Sequence, residues 1–186
     1  MSHPGKIRAL LATARIANVP SVVSNVWVGA LIGAFSGIEI SDPLFWKKTT
    51  AAWLAGIFLY IGGNFLNDWF DHRWDLENRP ERALPSGLFS RTAYLAAFLS
   101  LLALGTAIAL FIHWKCFVVA ATIVSFIMIY TAFHKRSPWA VIPMGVCRAL
   151  LPVMGFFAVC DWDGGTDGFD SPGSLILCAS LALLFR

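Results

Sequence analysis

The chain has 186 residues, of which 58% are hydrophobic and 13% are charged, and its mean hydropathy is +0.68. A soluble domain of this size could not cover so much apolar surface, so the composition excludes a soluble globular protein and indicates an integral membrane protein. The net charge of +3 is too small and too dispersed for a protein that binds nucleic acid. The four cysteines form no CxxC pair and lie in or beside apolar segments, so we expect neither a disulfide nor a zinc site.

Five segments are apolar over the roughly 20 residues that a spanning helix needs. They cover approximately residues 19–36, 50–67, 92–112, 115–133 and 139–160. A sixth runs from Ser174 through Arg186, and its thirteen residues are about 20 Å of helix against a hydrocarbon core of about 30 Å. We therefore expect an all-α, multi-pass transmembrane helical bundle with five full spans and a truncated sixth. It would form a single domain over residues 1–186 that is incomplete at its C-terminus.

Lysine and arginine are distributed unevenly between the two sides of this predicted bundle. One side carries nine of them: Lys6, Arg8, Arg15, Arg73, Arg79, Arg82, Arg91, Lys135 and Arg136. The opposite side carries three: Lys47, Lys48 and Lys115. The positive-inside rule then places the N-terminus and residues 64–87 in the cytoplasm, and we expect a bacterial inner (plasma) membrane.

Residues 64–87 directly follow the apolar part of the second span and contain five of the eleven acidic residues. If the second span continues as a helix past Leu66, four oxygen-bearing residues recur at i, i+4, i+7 and i+11 within a sector of about 60°. They are Asn64, Asp68, Asp71 and Asp75, with Asn67 beside them. Because carboxylates on one helix face repel one another, we expect a cation to lie against this face.

Oxygen ligands in this arrangement suit Mg²⁺, which takes one or two carboxylates, keeps waters and completes its shell with phosphate oxygens. Arg79 and Arg82 follow closely and are suited to clamp phosphate. The pattern therefore favours a metal-bound diphosphate. The alternative is a solvated acidic loop with ordinary ion pairs.

Other polar residues in or beside the spans have two possible roles each. Arg148, within the fifth span, faces a polar cavity and phosphate, or it snorkels or forms a structural pair. Asn25 contacts a substrate or bridges helices, and Tyr130 lines a pocket or anchors the interface. Lys135 contacts phosphate or is only a positive-inside residue, and His134 is expected at the interface.

Asp163 and Asp167 have a DxxxD spacing in the turn-rich segment 161–173. The predicted topology puts this segment on the side of the membrane opposite Asp68. We therefore expect a solvated loop, with weak Ca²⁺ binding as the alternative.

The pattern Asn67-Asp68-x-x-Asp71-x-x-x-Asp75, followed by Arg79, Arg82 and the run LPSG at 84–87, resembles the first aspartate-rich signature of the UbiA superfamily of intramembrane prenyltransferases. The segment 130–149 is similar to the end of the family's fourth helix and its fifth helix. His72 and Ala83 depart from the residues usual at their positions. The second aspartate-rich motif of the family is expected beyond Arg186, which puts the activity of the chain by itself in question.

The resemblance implies a helical membrane enzyme that transfers a polyprenyl group from its diphosphate to a lipophilic, often aromatic, acceptor, with Mg²⁺ as cofactor and the active site facing the cytoplasm. The implied metal ligands are Asn64, Asp68, Asp71 and Asp75, and the three aspartates are the implied catalytic residues. Diphosphate would be bound by Arg79, Arg82, Lys135 and Arg148. The substrate pocket would be lined by Asn25, Asn67 and Tyr130.

Two other functions compete with this interpretation. A catalytically incomplete membrane fragment or scaffold would keep the first half of the fold and bind partners or isoprenoid lipid. A CDP-alcohol phosphotransferase also uses membrane aspartates with Mg²⁺, but the DGxxAR segment that it needs is absent from the sequence.

Overall fold

Helices make up almost all of the regular structure in the computed structural model, which describes residues 5–35, 38–135, 139 and 141–160. In chain order they are α1 (Lys6–Thr13), α2 (Val19–Ala34), α3 (Pro43–Asn78), α4 (Arg91–Ile112), α5 (Trp114–Phe133) and α6 (Val141–Val159). A short 3₁₀ turn, Ile16–Asn18, leads from α1 into α2. The described residues contain no strand, as the sequence predicts for an all-α protein.

Five helical segments are long and apolar enough to cross a membrane, which confirms the five predicted full spans. The first is Ile16–Ala34, in which the 3₁₀ turn continues into α2, and the others are α3 to α6. The bounds of four helices, α2 and α4 to α6, lie within two residues of the predicted bounds. The predicted sixth span, the segment 161–173 and Arg136 lie outside the described residues. What the sequence predicts for those parts therefore remains untested by the structure.

The second span differs most from its predicted bounds, because α3 begins seven residues before residue 50 and ends eleven residues after residue 67. Its 36 residues make a helix of about 54 Å, which exceeds a hydrocarbon core of about 30 Å. Asp42 caps the N-terminus by accepting a hydrogen bond from the Leu44 amide at 2.7 Å, and Pro43 occupies the first turn. The helix therefore continues beyond the apolar segment and carries the acidic residues on the same rigid element.

The arrangement of the spans depends on α3, which packs along α4 and also contacts α2, α5 and α6. Small side chains on α3, such as Ala52 and Ala55, are fully buried against these neighbours. A one-residue link at His113 joins α4 to α5, and its ring accepts a hydrogen bond from the Lys115 amide at 3.2 Å. The core of the bundle is thus built around the helix that carries the acidic residues.

The second extensive contact, between α2 and α6, depends on glycines. A methyl group on Gly29 would overlap the carbonyl oxygen of Pro152, and one on Gly155 would overlap the carbonyl oxygen of Val26. Small residues allow membrane helices to approach closely, because association in lipid relies on packing rather than on the hydrophobic effect. This contact holds α6, which carries Arg148, against the helices that surround the site.

Gly29→Ala tests this contact. The added methyl group forces α2 away from the Pro152 carbonyl, and we expect a loss of about 1–3 kcal/mol in the free energy of unfolding. Gly145→Ala on α6 is the matched control, since no atom lies within 4 Å of the added carbon. Thermal unfolding in detergent, followed by circular dichroism, should show a lower midpoint for Gly29→Ala only. Equal midpoints for the two variants would contradict the packing described.

Candidate active site

The last third of α3 carries the acidic face, which we define as Asn64, Asn67, Asp68, Asp71 and Asp75. All five lie on one uninterrupted helix, so the predicted continuation of the second span past Leu66 is confirmed. Asp75 is only 1% exposed, and the side chains of Asp71 and Asp68 are 11% and 12% exposed. Carboxylates buried to this extent need a cation or hydrogen-bond donors, because leaving them unpaired costs several kcal/mol.

Arg82 supplies the partner for two of these carboxylates. Its Nη1 atom lies 2.8 Å from Asp75 Oδ2 and 3.4 Å from Asp68 Oδ1. The chain reverses after α3 to bring Arg82 back: the Arg79 amide donates to the Asp75 carbonyl and the Arg82 amide donates to the Arg79 carbonyl. Arg82 thus neutralises two acids that lie about two turns apart on the helix.

The same reversal anchors the LPSG run to the core. Ala83 and Leu84 are buried, and the Gly87 amide donates to the Leu84 carbonyl at 3.2 Å. Gly87 has φ of 75°, a left-handed conformation that glycine adopts without the cost that a side chain would add. The motif therefore has a structural role, which is to hold the Arg82 turn against the end of α3.

Asp71 is paired from the other side, by the end of α5. Lys135 Nζ lies 2.8 Å from Asp71 Oδ1, and His134 Nε2 lies 3.1 Å from Asp71 Oδ2. His134 Nδ1 also lies 3.1 Å from the Thr131 carbonyl, and Tyr130 stacks on its ring with centroids 5.1 Å apart. The structure therefore brings the predicted residues Lys135 and Asp71 together, and it adds His134, which the sequence placed only at the interface.

Below the acidic face, the spans enclose a central cavity of about 140 Å³. The five predicted residues that line it are Asn25, Asn64, Asn67, Tyr130 and Arg148. Apolar side chains of α2, α3, α5 and α6 form the rest of the wall, among them Val22, Leu59, Ile123, Ile127 and Leu151. A cavity that is polar at one end and apolar along its wall is suited to a molecule with an anionic head and a hydrocarbon tail.

Two predicted residues make other contacts in the structure, and their predicted roles as diphosphate and metal ligands stay predictions. Arg79 is exposed, its guanidinium stacks over Trp74 at 5.7 Å, and it forms no ion pair with any described carboxylate. Asn64 lies on the acidic face, but its amide group donates to the Ala14 carbonyl at 3.3 Å. Asn64 therefore also fixes the segment before α2, and its role as a metal ligand stays a prediction.

Oxygen atoms on the acidic face fit a hard divalent cation. Asn67 Oδ1 and Asp75 Oδ1 are buried and accept no hydrogen bond from the part of the chain that is described. Within the same residues, no three His, Cys, Asp or Glu side chains come close enough to hold an ion by themselves. This donor set suits Mg²⁺ better than zinc, because Mg²⁺ uses one or two carboxylates and completes its shell with water and phosphate oxygens.

Arg15, which the sequence assigned only to the basic N-terminal arm, also lines the central cavity. Its backbone is left-handed, with φ and ψ both 48°, and no other non-glycine residue in the described ranges has a positive φ. The Tyr60 hydroxyl donates to the Arg15 carbonyl at 3.2 Å. No sequence pattern indicated this turn, because the left-handed conformation is usually signalled by glycine or asparagine, and position 15 is an arginine.

The Arg82 contact gives a direct test of the burial argument. Arg82→Gln leaves the buried Asp75 carboxylate without its cation, so we expect the free energy of unfolding to fall by at least about 2 kcal/mol. Arg79→Gln, the matched control, should change it by less than about 0.5 kcal/mol. Adding Asp75→Asn to Arg82→Gln should recover part of the loss. If Arg79→Gln costs as much as Arg82→Gln, the assignment of the pair is wrong.

Comparison with known proteins agrees with this geometry. The model of the UbiA prenyltransferase family matches residues 22–185. A digeranylgeranylglyceryl phosphate synthase of Thermococcus kodakarensis is 34% identical over 166 residues, which are 87% of this chain and 57% of that protein. The corresponding Pyrococcus furiosus protein is 32% identical over 162 residues, or 86% of this chain and 53% of its own length. The chain thus spans a little over half the length of these curated relatives.

A solved structure gives independent support for the fold. It comes from work on the biosynthesis of digeranylgeranylglyceryl phosphate synthase in membranes, and it superposes with a TM-score of 0.78 at 24% identity. The match covers 97% of this chain and 60% of the solved chain. At this identity the likeness concerns the fold, whereas the family match covers most of the sequence. The chain belongs to the UbiA prenyltransferase family, as the aspartate-rich motif indicated.

Proposed function

We propose that this chain forms the diphosphate-binding part of a Mg²⁺-dependent membrane prenyltransferase, within one transmembrane domain that includes residues 1–186. The observation that carries the proposal is the acidic face, with its paired cations, at the polar end of a cavity that has an apolar wall. The head of a prenyl diphosphate would lie at the polar end, and its isoprenoid chain would lie along the apolar wall.

The chain supplies three cations around the expected position of the diphosphate. Arg148 lines the central cavity, while Lys135 and Arg82 contact the acids above it. Mg²⁺, held by one or two of the carboxylates of Asp68, Asp71 and Asp75, would neutralise charge on the diphosphate oxygens. Lys135 and Arg82 are already at the acids, so each can turn from a carboxylate to a phosphate oxygen over a short distance. We assign Asp68, Asp71 and Asp75 as the catalytic residues on this basis.

The reaction would begin as the bond between the allylic carbon and the diphosphate oxygen breaks, with its electron pair leaving on the diphosphate. Arg148, together with Lys135 and Arg82 once they have turned to the phosphate oxygens, would stabilise the charge that develops there. The acceptor hydroxyl oxygen then forms a bond to the allylic carbon and passes its proton to an oxygen of the departing diphosphate. Apolar residues such as Ile123, Ile127 and Leu151 keep water away from the cationic carbon.

The names of the two relatives support a proposal for the acceptor substrate. Both are named digeranylgeranylglyceryl phosphate synthases, and such a product is a glyceryl phosphate with geranylgeranyl groups. We therefore propose that the acceptor is a prenylglyceryl phosphate, rather than the aromatic compound that the family resemblance often implies. The prenyl donor would be geranylgeranyl diphosphate.

The spans establish an integral membrane protein, and the orientation is part of the proposal. The excess of basic residues at the end that carries the acidic face favours the cytoplasmic side for that end. The relatives are archaeal, so they give no support to the expected bacterial inner membrane. We propose only that the acidic face opens on the cytoplasmic side of the cell membrane.

Binding of geranylgeranyl diphosphate tests the proposal. The wild-type chain in detergent should bind it with Mg²⁺ and lose most of that affinity in EDTA. Asp68→Asn should weaken Mg²⁺-dependent binding by about tenfold or more, since a charge-assisted ligand contact is lost. Glu77→Gln is the matched control, because Glu77 is an exposed acid on the same helix. Titration calorimetry provides the affinities.

Two outcomes would contradict the proposal. Equal affinities for the wild type and Asp68→Asn would remove the acidic face from the site. Tight binding of a prenyl lipid without a diphosphate, unaffected by Mg²⁺, would instead favour a scaffold that binds isoprenoid lipid.

A further inference from the structure

A second cavity, of about 410 Å³, lies beside the central one. We call it the α1 cavity, because α1 forms one wall, and the end of α3 and the Arg82 turn form the other. Its charged lining consists of three arginines, Arg8, Arg15 and Arg82, and two acids, Asp68 and Glu81. Arg15 also lines the central cavity, so it lies between the two.

The conformation of Arg15 indicates that its position matters. A left-handed arginine costs about 1–2 kcal/mol relative to an ordinary conformation, and the surrounding structure must hold it there. Two side chains of α3 do so: Tyr60 donates to the Arg15 carbonyl and Asn64 donates to the Ala14 carbonyl. The strained turn places the side chain of Arg15 where both cavities meet.

The charges of the α1 cavity leave two cations available for a ligand. Arg82 is already shared between Asp75 and Asp68. Neither the guanidinium group of Arg8 nor that of Arg15 lies within ion-pair distance of a described carboxylate, although Arg15 still attracts the carboxylate of Asp68. Glu81, Arg8 and Arg15 are all exposed, so solvent screens the acid and the two arginines alike, and the arginines outnumber the acid. Two such guanidinium groups in one cavity are suited to bind a phosphomonoester, which carries nearly two negative charges at neutral pH.

The location of the cavity fits a lipid phosphate. Helix α1 is anchored by Thr13, whose hydroxyl lies 2.8 Å from the buried Tyr94 hydroxyl. Its apolar residues Ile7, Leu10 and Leu11 are exposed beside the basic Arg8. A short helix with exposed apolar and basic residues is typical of the boundary between lipid headgroups and hydrocarbon. A lipid could therefore place its phosphate in the α1 cavity while its chains stay in the membrane.

We propose that the α1 cavity is the subsite for the phosphate of the acceptor, held by Arg8 and Arg15. This inference rests on the proposed function and extends it, since it assigns the residues that select a phosphorylated acceptor. Arg15 would lie between the acceptor phosphate and the prenyl diphosphate and contact the acceptor's headgroup.

The test measures the binding of several ligands to the whole chain in detergent. The probe is a 1-O-alkylglycerol phosphate, with the matching alkylglycerol, inorganic phosphate and phosphatidylglycerol as comparisons. We expect Arg8→Gln and Arg15→Gln each to weaken binding of the alkylglycerol phosphate by about tenfold. Arg8→Gln, at a residue that does not line the central cavity, should leave Mg²⁺-dependent binding of geranylgeranyl diphosphate within about threefold of the wild type. Lys6→Gln, an exposed position on α1 outside the cavity, should change neither affinity.

The outcomes separate this inference from the function on which it rests. Suppose that the wild-type chain binds geranylgeranyl diphosphate but binds the alkylglycerol phosphate no more tightly than the alkylglycerol or phosphatidylglycerol. That result overturns the subsite alone. Displacement by inorganic phosphate at similar concentration would show a free-phosphate site and also overturn it. A chain that binds no prenyl diphosphate overturns the proposed function instead. Because Arg8 is exposed, the circular dichroism spectrum of Arg8→Gln should match that of the wild type. A matching spectrum would show that the lost affinity is not caused by lost folding.

Discussion

The constraint on which the rest of the structure depends is the burial of carboxylates on one face of α3. The side chain of Asp75 is almost completely shielded from solvent, and those of Asp71 and Asp68 are largely buried. Charges in such positions are tolerated only when cations or donors surround them, so the chain must bring basic residues to the end of α3. It does this with the turn after α3, which supplies Arg82, and with the end of α5, which supplies Lys135 and His134.

These pairs also determine the shape of the site. Asp71 joins α3 to the end of α5, and that contact holds Tyr130 and Ile127 at the wall of the central cavity. Arg82 fixes the turn that forms one side of the α1 cavity. Arg82 and Lys135 neutralise the buried acids when no ligand is bound, and the same two cations would be attracted by a diphosphate. Binding would therefore exchange partners between groups already in place, rather than assemble a site from distant residues.

Much of this could be predicted from the sequence, because hydrophobic length and helical phase are local properties. They predicted the five spans and the common face of the acids, and a polar or charged side chain in or beside a span pointed to Lys135, Arg148 and Asn25. Other features depend on tertiary contacts. The left-handed Arg15 depends on Tyr60 and Asn64, which lie 45 and 50 residues beyond the atoms that they hold. His134 meets Asp71 only after α3 and α5 pack, and the spacing of Arg79 and Arg82 could not show which one turns back to the acids.

The central claim is that carboxylates of α3 and a prenyl diphosphate share one divalent cation. Mn²⁺ can replace Mg²⁺ as a paramagnetic probe in a chain whose aspartate carboxylates are labelled with ¹³C, mixed with the unreactive geranylgeranyl thiolodiphosphate. Electron–nuclear double resonance then detects the nuclei bonded next to the ion. The account predicts ³¹P and ¹³C couplings on the same Mn²⁺, with the ¹³C coupling reduced in Asp71→Asn. A ³¹P coupling without any ¹³C coupling would contradict it, because the ion would then be bound by the diphosphate alone.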